Sequence, residues 1–220
     1  SLGRERWQQF PNSPPTTTPP ETRRSHAMSP FGNGIVLFGG IAFGKHALDT
    51  TYMLDQTTNQ WTQIGPAPGT KIPTGRWLHA MASITIGQVL LFGGYNYGSG
   101  YLGDTCVLDQ RTKQWTQINY TLTAPAPTAR TSHAMASLGN GKVLMYRGRN
   151  NVNNPVANDT WIFTLSSNEK NGKETATWTQ TADGPNARNS HAMSSLGNGK
   201  VLMYGGYDVN FVLLNDTLIF

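Results

Sequence analysis

Residues 79–94 read His79-Ala80-Met81-Ala82-Ser83-Ile84-Thr85-Ile86-Gly87-Gln88-Val89-Leu90-Leu91-Phe92-Gly93-Gly94. Two β-type runs, rich in branched and apolar residues, flank a glycine-bearing turn, and a glycine pair ends the second run. The passage recurs. His-Ala-Met begins at His26, His79, His133 and His191, at intervals of 53, 54 and 58 residues. The turns that follow are Asn33-Gly34, Ile86-Gly87, Asn140-Gly141 and Asn198-Gly199, and the closing pairs are Gly39-Gly40, Gly93-Gly94, Arg147-Gly148 and Gly205-Gly206. Each copy then carries an Asp-Thr pair, at Asp49, Asp104, Asp159 and Asp216, which opens a third apolar run. A fourth run holds a tryptophan, at Trp61, Trp115 and Trp178. We call the four runs a to d.

No segment carries a helical period, so the expected fold is all-β. Asn-Gly between two such runs predicts a type I′ hairpin turn, with positive φ at both positions. A period of about 54 residues with four strands per copy is a β-propeller blade. An arginine precedes each repeated histidine by three residues, at Arg23, Arg76, Arg130 and Arg188. With the glycine pair and the spaced tryptophan, this pattern resembles the Kelch repeat over nearly the whole chain. The resemblance implies a propeller used as a binding scaffold or, less often, as an enzyme. The expected blades span about 23–65, 76–119, 130–182 and 188–220 within a single domain. Trp7-Gln8-Gln9-Phe10 matches run d, and residues 216–220 match run c. Residues 4–10 are therefore expected to complete the last blade and close a four-bladed ring; the other arrangement is a four-blade portion of a larger propeller.

The chain has 220 residues, 24 glycines, one cysteine and 13% charged residues. One cysteine excludes a disulfide framework and a cysteine-rich zinc site. No apolar run is long enough for a membrane-spanning helix, so no membrane insertion is expected. The net charge of +5 comes from scattered bases rather than a stripe interleaved with aromatics, which argues against nucleic acid. A Thr- and Asn-rich composition leans to an extracellular setting. Asn119, Asn158 and Asn215 each head an Asn-x-Thr triplet.

A residue present in every blade is read first as blade architecture. The repeated histidines are expected to hydrogen-bond between blades; a four-histidine axial metal site is the less favoured reading, and no cofactor is expected. Arg23, Arg76, Arg130 and Arg188 either pair with blade carboxylates such as those of the Asp-Thr pairs, or form a cationic collar for acidic ligands. Function is expected where the copies differ. Runs b and c are joined by loops of unrelated sequence at 41–48, 95–103, 149–158 and 207–215, on the same face as the d-to-a connections. These loops carry Phe43, Lys45, His46, Tyr95, Tyr97, Tyr101, Arg149, Asn150, Asn151, Tyr207, Asp208 and Phe211. Aromatics mixed with Asn and Arg suit peptide or glycan recognition. Arg147 replaces the first glycine of a closing pair, at a strain of about 1 kcal/mol if that position needs positive φ. The connection at 165–177 reads as a flexible protruding hairpin.

Catalytic groups are sparse. Kelch-type copper oxidases carry a Tyr–Cys crosslink with further Tyr and His ligands, whereas Cys106 lies inside run c with no such set around it. The iron-dependent specifier pattern Glu-x-x-x-Asp-x-x-x-His is missing as well. The expected function is a non-catalytic scaffold that binds a protein or glycan through the b–c and d–a loop face. The alternative is a sugar epimerase or mutarotase using the arginine collar.

Overall fold

The computed structural model describes residues 19–44, 46–118, 125–150, 159–167, 174–184 and 186–220. Among these residues every regular element is a strand, and no helix is long and apolar enough to cross a membrane. Blade one is β1 (Ala27–Phe31), β2 (Gly34–Phe38), β3 (Thr51–Asp55) and β4 (Gln60–Ile64). Blade two is β5 (Ala80–Thr85), β6 (Gln88–Phe92), β9 (Thr105–Asp109) and β10 (Gln114–Ile118), with a small hairpin of β7 (Tyr95–Asn96) and β8 (Gly100–Tyr101) in its b–c loop. Blade three is β11 (Ala134–Gly139), β12 (Lys142–Tyr146), β13 (Thr160–Ser167) and β14 (Glu174–Thr181). Blade four is β15 (Ala192–Gly197), β16 (Lys200–Tyr204) and β17 (Thr217–Ile219). Each sheet is an antiparallel meander, and β1, β5, β11 and β15 pack in that order along the inside. The four sheets are the blades of a β-propeller.

Strand alternation builds the core between blades rather than within them. On β6, Val89 and Leu91 join Phe31, Val36 and Phe38 of blade one, while Leu90 and Phe92 turn the other way onto Met135, Val143 and Met145 of blade three. Each such side chain contributes roughly 1.5–3 kcal/mol on burial. The run-d tryptophans bridge the same seams. Trp115 meets Phe38 edge-on at 5.3 Å and donates to Thr51 Oγ1 at 3.0 Å; Trp178 does the same to Phe92 and Thr105 at 5.4 and 3.1 Å. The cluster between blades three and four is smaller, with Ala136, Leu144 and Val201 at its centre.

Main-chain bonds also tie blade to blade. Leu78 N–H donates to Ser25 O, Ser132 N–H to Leu78 O, and Ser190 N–H to Ser132 O, at 2.9–3.1 Å. All four of these residues adopt positive φ, 54–57°, an arrangement that nothing in their side chains announces. A second series runs from the N–H of the second closing glycine to the next blade's arginine carbonyl: Gly40 to Arg76, Gly94 to Arg130 and Gly148 to Arg188. Among the described residues neither series continues from blade four to blade one. Tyr204 is accordingly 53% exposed, whereas its counterparts Phe38, Phe92 and Tyr146 are buried. Residues 4–10, expected to close the ring, lie outside the described residues, as do Asn119 and Asn158.

Two local expectations need correction. The type I′ turn forms at Asn140-Gly141 and Asn198-Gly199, where all four φ values are positive. In blade one the positive φ falls on Gly32 instead, and Gly34 already belongs to β2. The connection expected at 165–177 is largely sheet, because β13 and β14 stay paired from Thr160–Thr181 out to Ser167–Glu174.

Candidate functional site

Three of the four repeated arginines are held within their blades. Arg76, Arg130 and Arg188 have fully buried side chains and fork onto Asp104, Asp159 and Asp216, with both bonds of each pair between 2.5 and 2.7 Å. Their Nη1 atoms also donate to the carbonyls of Gly93, Arg147 and Gly205. Burial works to raise the Asp159 carboxyl, but the Arg130 hydrogen bond and charge outweigh it and hold it below the usual range. The bond to Arg188 likewise holds Asp216 low.

Blade one differs. Gly39 N–H donates to Thr50 O, as Arg147 N–H does to Asp159 O and Gly205 N–H to Asp216 O. Thr50, and not Asp49, therefore stands where the other blades have their acid. The Asp-Thr pair read at Asp49 lies one residue early. Arg23 Nη1 bonds Gly39 O at 2.9 Å and Thr50 Oγ1 at 3.1 Å, its Nε bonds Glu21 O at 3.1 Å, and its Nη2 is buried without a hydrogen-bond partner. The guanidinium stacks 5.3 Å from the Tyr52 ring, and burial pulls its pKa below the usual value.

The histidines join blades, although not by the hydrogen bonds expected of them. His79, His133 and His191 lie edge-on to Phe38, Phe92 and Tyr146 of the preceding blade at 5.4–5.7 Å, with neither ring nitrogen meeting a partner at good geometry. Burial pushes His79 down to about 3 and His191 to about 4, with neighbouring arginines adding to the effect. Burial also carries His133 well below the usual value. These rings explain the first closing glycine: a Cβ on Gly93 would come within 2.5 Å of Arg130 O and 2.8 Å of the His133 ring. Arg147 accepts that position at φ +48° and is buried, donating to Gly184 O at 2.6 Å and lying 4.8 Å over the Tyr146 ring. Its side chain is buried against Tyr146 and the connection from β14 to β15 rather than exposed on the loop face. The four histidines surround an axial cavity of about 240 Å³, but no group of three or more His, Cys, Asp or Glu among the described residues converges as metal ligands. Cys106 is a buried thiol, pushed up to about 12 by burial first and by Asp104 next.

The loop face carries an aromatic cluster over blades one and two. The β7–β8 hairpin holds Tyr95, Tyr97 and Tyr101, and Trp77 pairs with it through an isolated bridge to Tyr95. Ring centroids lie 5.0 Å apart for Trp77–Tyr95, 4.6 Å for Trp77–Tyr97 and 5.3 Å for Tyr95–Tyr101. Asn96 braces the hairpin, accepting from Gly98 and Ser99 N–H and donating to Gly75 O. Tyr97 remains 67% exposed and faces the fully exposed Phe43 of blade one. Between them lies a cavity of about 530 Å³ that Arg23, Arg24 and Ile41 also line. The three tyrosines are those of the blade-two b–c loop singled out above. Trp77 carries no such signal in the sequence, since it follows Arg76 in the d–a connection of one blade only.

The other sequence candidates stand apart from this cluster. His46 is exposed in the blade-one loop, and Lys45 lies outside the described residues. Arg149 bridges Thr131 through its backbone. In blade four, Asp208 Oδ1 accepts from Asn210 and Val212 N–H and so holds its loop, which presents Tyr207 and Phe211 to solvent. A second cavity, about 740 Å³, runs along the inner strands and is lined by Met28, Met81, Met135 and Met193 with Ser29 and Ser83. The repeated Met two residues after each histidine is the only signal of it in the sequence.

Comparison with known proteins accords with this architecture. A family model described as the KLHDC2/KLHL20/DRC7 Kelch-repeats domain matches residues 1–206. An F-box/kelch-repeat protein of Arabidopsis thaliana is 29% identical over 91% of this chain and 42% of its own length. Adagio protein 3 of Arabidopsis thaliana is 30% identical over 80% of this chain and 27% of its own, and Kelch domain-containing protein 10 of Xenopus tropicalis is 34% identical over 57% and 31%. The chain thus spans less than half the length of these relatives. With the repeated arginine, histidine and glycine-pair positions now accounted for in three dimensions, the chain belongs to the Kelch-repeat family of β-propellers.

Proposed function

We propose that this chain is a protein-binding propeller that captures its partner on the loop face over blades one and two. The observation that carries this reading is the Trp77–Tyr95–Tyr97–Tyr101 cluster, preorganised by ring contacts and by Asn96 yet exposing Tyr97 beside the exposed Phe43. Large rigid aromatics on a braced hairpin lose little conformational entropy on binding, which makes them suited to an interface hot spot. The carbohydrate-enzyme alternative needs guanidiniums free to converge on a ligand, and Arg76, Arg130 and Arg188 are each closed on an aspartate. A propeller that forms a minor part of its relatives' length also fits a recognition module joined to other segments.

The test is site-directed photo-crosslinking with a photoreactive residue at position 97 or, as a control, at the exposed Thr58 on the opposite face. A protein adduct formed from position 97 alone, and lost at least tenfold in the Phe43→Ala/Trp77→Ala chain with its melting temperature little changed, supports the reading. Equal adducts from both positions refute it.

A further inference from the structure

Blade one lacks the acid that every other blade supplies to its arginine. Thr50 occupies the backbone position of Asp159 and Asp216, and Arg23 Nη2 is left buried with no hydrogen-bond partner. Among the described residues, neither neighbouring acid hydrogen-bonds that atom. Asp49 is exposed and makes no ion pair with Arg23, and Glu21 gives Arg23 its backbone carbonyl while its carboxylate acts on the guanidinium through charge. In the sister blades the paired aspartates are 18–39% exposed, so the place they fill opens to solvent. In blade one Arg23 itself lines a cavity that it shares with Phe43 and Tyr97.

We infer that Arg23 is a receptor for a carboxylate from outside the chain: an Asp or Glu side chain of the docked protein takes the position of the missing blade acid. The sister blades show the geometry this position favours, two parallel bonds from one guanidinium edge to a planar carboxylate, so the incoming carboxylate displaces Thr50 Oγ1 from Nη1 and takes Nη2 as its second donor. A residue beside that acid would lie against Phe43 or Tyr97, so the favoured ligand is an acidic group next to an apolar or aromatic one. The inference specifies the ligand chemistry of the loop face and rests on that reading for its biological meaning; its test does not, because it uses a free amino-acid derivative.

The probe is N-acetyl-aspartate amide, with N-acetyl-asparagine amide and inorganic phosphate as controls, read by thermal unfolding of the full chain and of Thr50→Asp. In Thr50→Asp the chain supplies its own acid, so the variant alone should melt a few degrees higher. At about ten times its dissociation constant the aspartate probe should raise the melting temperature of the parent chain by roughly 3 °C. It should leave Thr50→Asp unmoved, and the asparagine probe should do nothing. The inference is overturned if Thr50→Asp melts no higher than the parent, if the aspartate probe shifts both chains equally or neither, or if phosphate shifts the parent and aspartate does not. None of these results bears on whether the aromatic cluster binds a protein, which the crosslinking experiment decides separately.

Discussion

Mild acid should unfold this propeller through its seams. His79, His133 and His191 are buried against the preceding blade, and burial holds all three below the usual histidine pKa, His79 at about 3 and His191 at about 4. A histidine depressed in the folded state takes up its proton more readily when unfolded. Its contribution to stability is therefore intact above about pH 6.5 and is lost progressively as pH falls toward the folded value. At about pH 5 His79 and His191 each cost about 2 kcal/mol, so together they remove about 4 kcal/mol, and His133 acts in the same direction. That is a large share of the stability of an ordinary domain, typically about 5–15 kcal/mol. His26, less buried, adds less because solvent screens it. The Arg–Asp pairs act in a separate window. Asp159 and Asp216 lie below the usual carboxylate range, so the stability they add is lost only as pH falls below about 4. The assay is urea unfolding followed by tryptophan fluorescence between about pH 7 and about pH 5. Replacing His133 by Asn should lower stability at neutral pH yet flatten the dependence on pH. A midpoint that stays constant across this range, or a slope that the His133→Asn change leaves intact, refutes the argument.

Gly93→Ala should destabilise by about 3 kcal/mol or more, since the new Cβ meets Arg130 O at 2.5 Å as well as an unfavourable φ, whereas Gly205→Ala, with nothing closer than 3.5 Å, should cost only about 1 kcal/mol; urea midpoints compare the two. Asp159→Asn should cost about 3–5 kcal/mol by leaving the fully buried Arg130 without its counter-charge, again measured by denaturant unfolding. Arg147→Ala should lose about 1–2 kcal/mol with the Gly184 bond, and Arg147→Gly should recover about 1 kcal/mol of that by removing the left-handed strain, a difference visible in paired melting curves.

The strand plan was legible because it is written several times over: one ambiguous β-run becomes secure when the same run returns at a fixed interval. The Arg–Asp pairing was among the readings of that repeat. What escaped was information carried by register or by neighbours. Asp49-Thr50-Thr51 satisfies an Asp-Thr pattern in one alignment and places Thr50 at the acid position in the other. Only the bond from Gly39 N–H decides between them. The repeated histidines meet an aromatic ring of the preceding blade edge-on rather than a hydrogen-bond partner at good geometry, which the spacing alone does not disclose. Leu78 and its serine counterparts sit at positive φ because the seam bond requires it, and neither residue type signals that conformation. Trp77 belongs to one blade only, so a search for repetition passes over it.

The bonds that link Ser25, Leu78, Ser132 and Ser190 run from main chain to main chain, and the same is true of those from Gly40, Gly94 and Gly148 to the arginines. Adhesion between neighbours is thus partly indifferent to side-chain identity. A whole blade, exchanged for another with the same glycine pair and arginine carbonyl, would find the same handholds waiting. Loop sequences can drift, and copies can be shuffled or duplicated, while the way one blade grips the next stays constant. Blade one illustrates that latitude: it has a threonine where its neighbours have an acid, and it keeps its place in the stack.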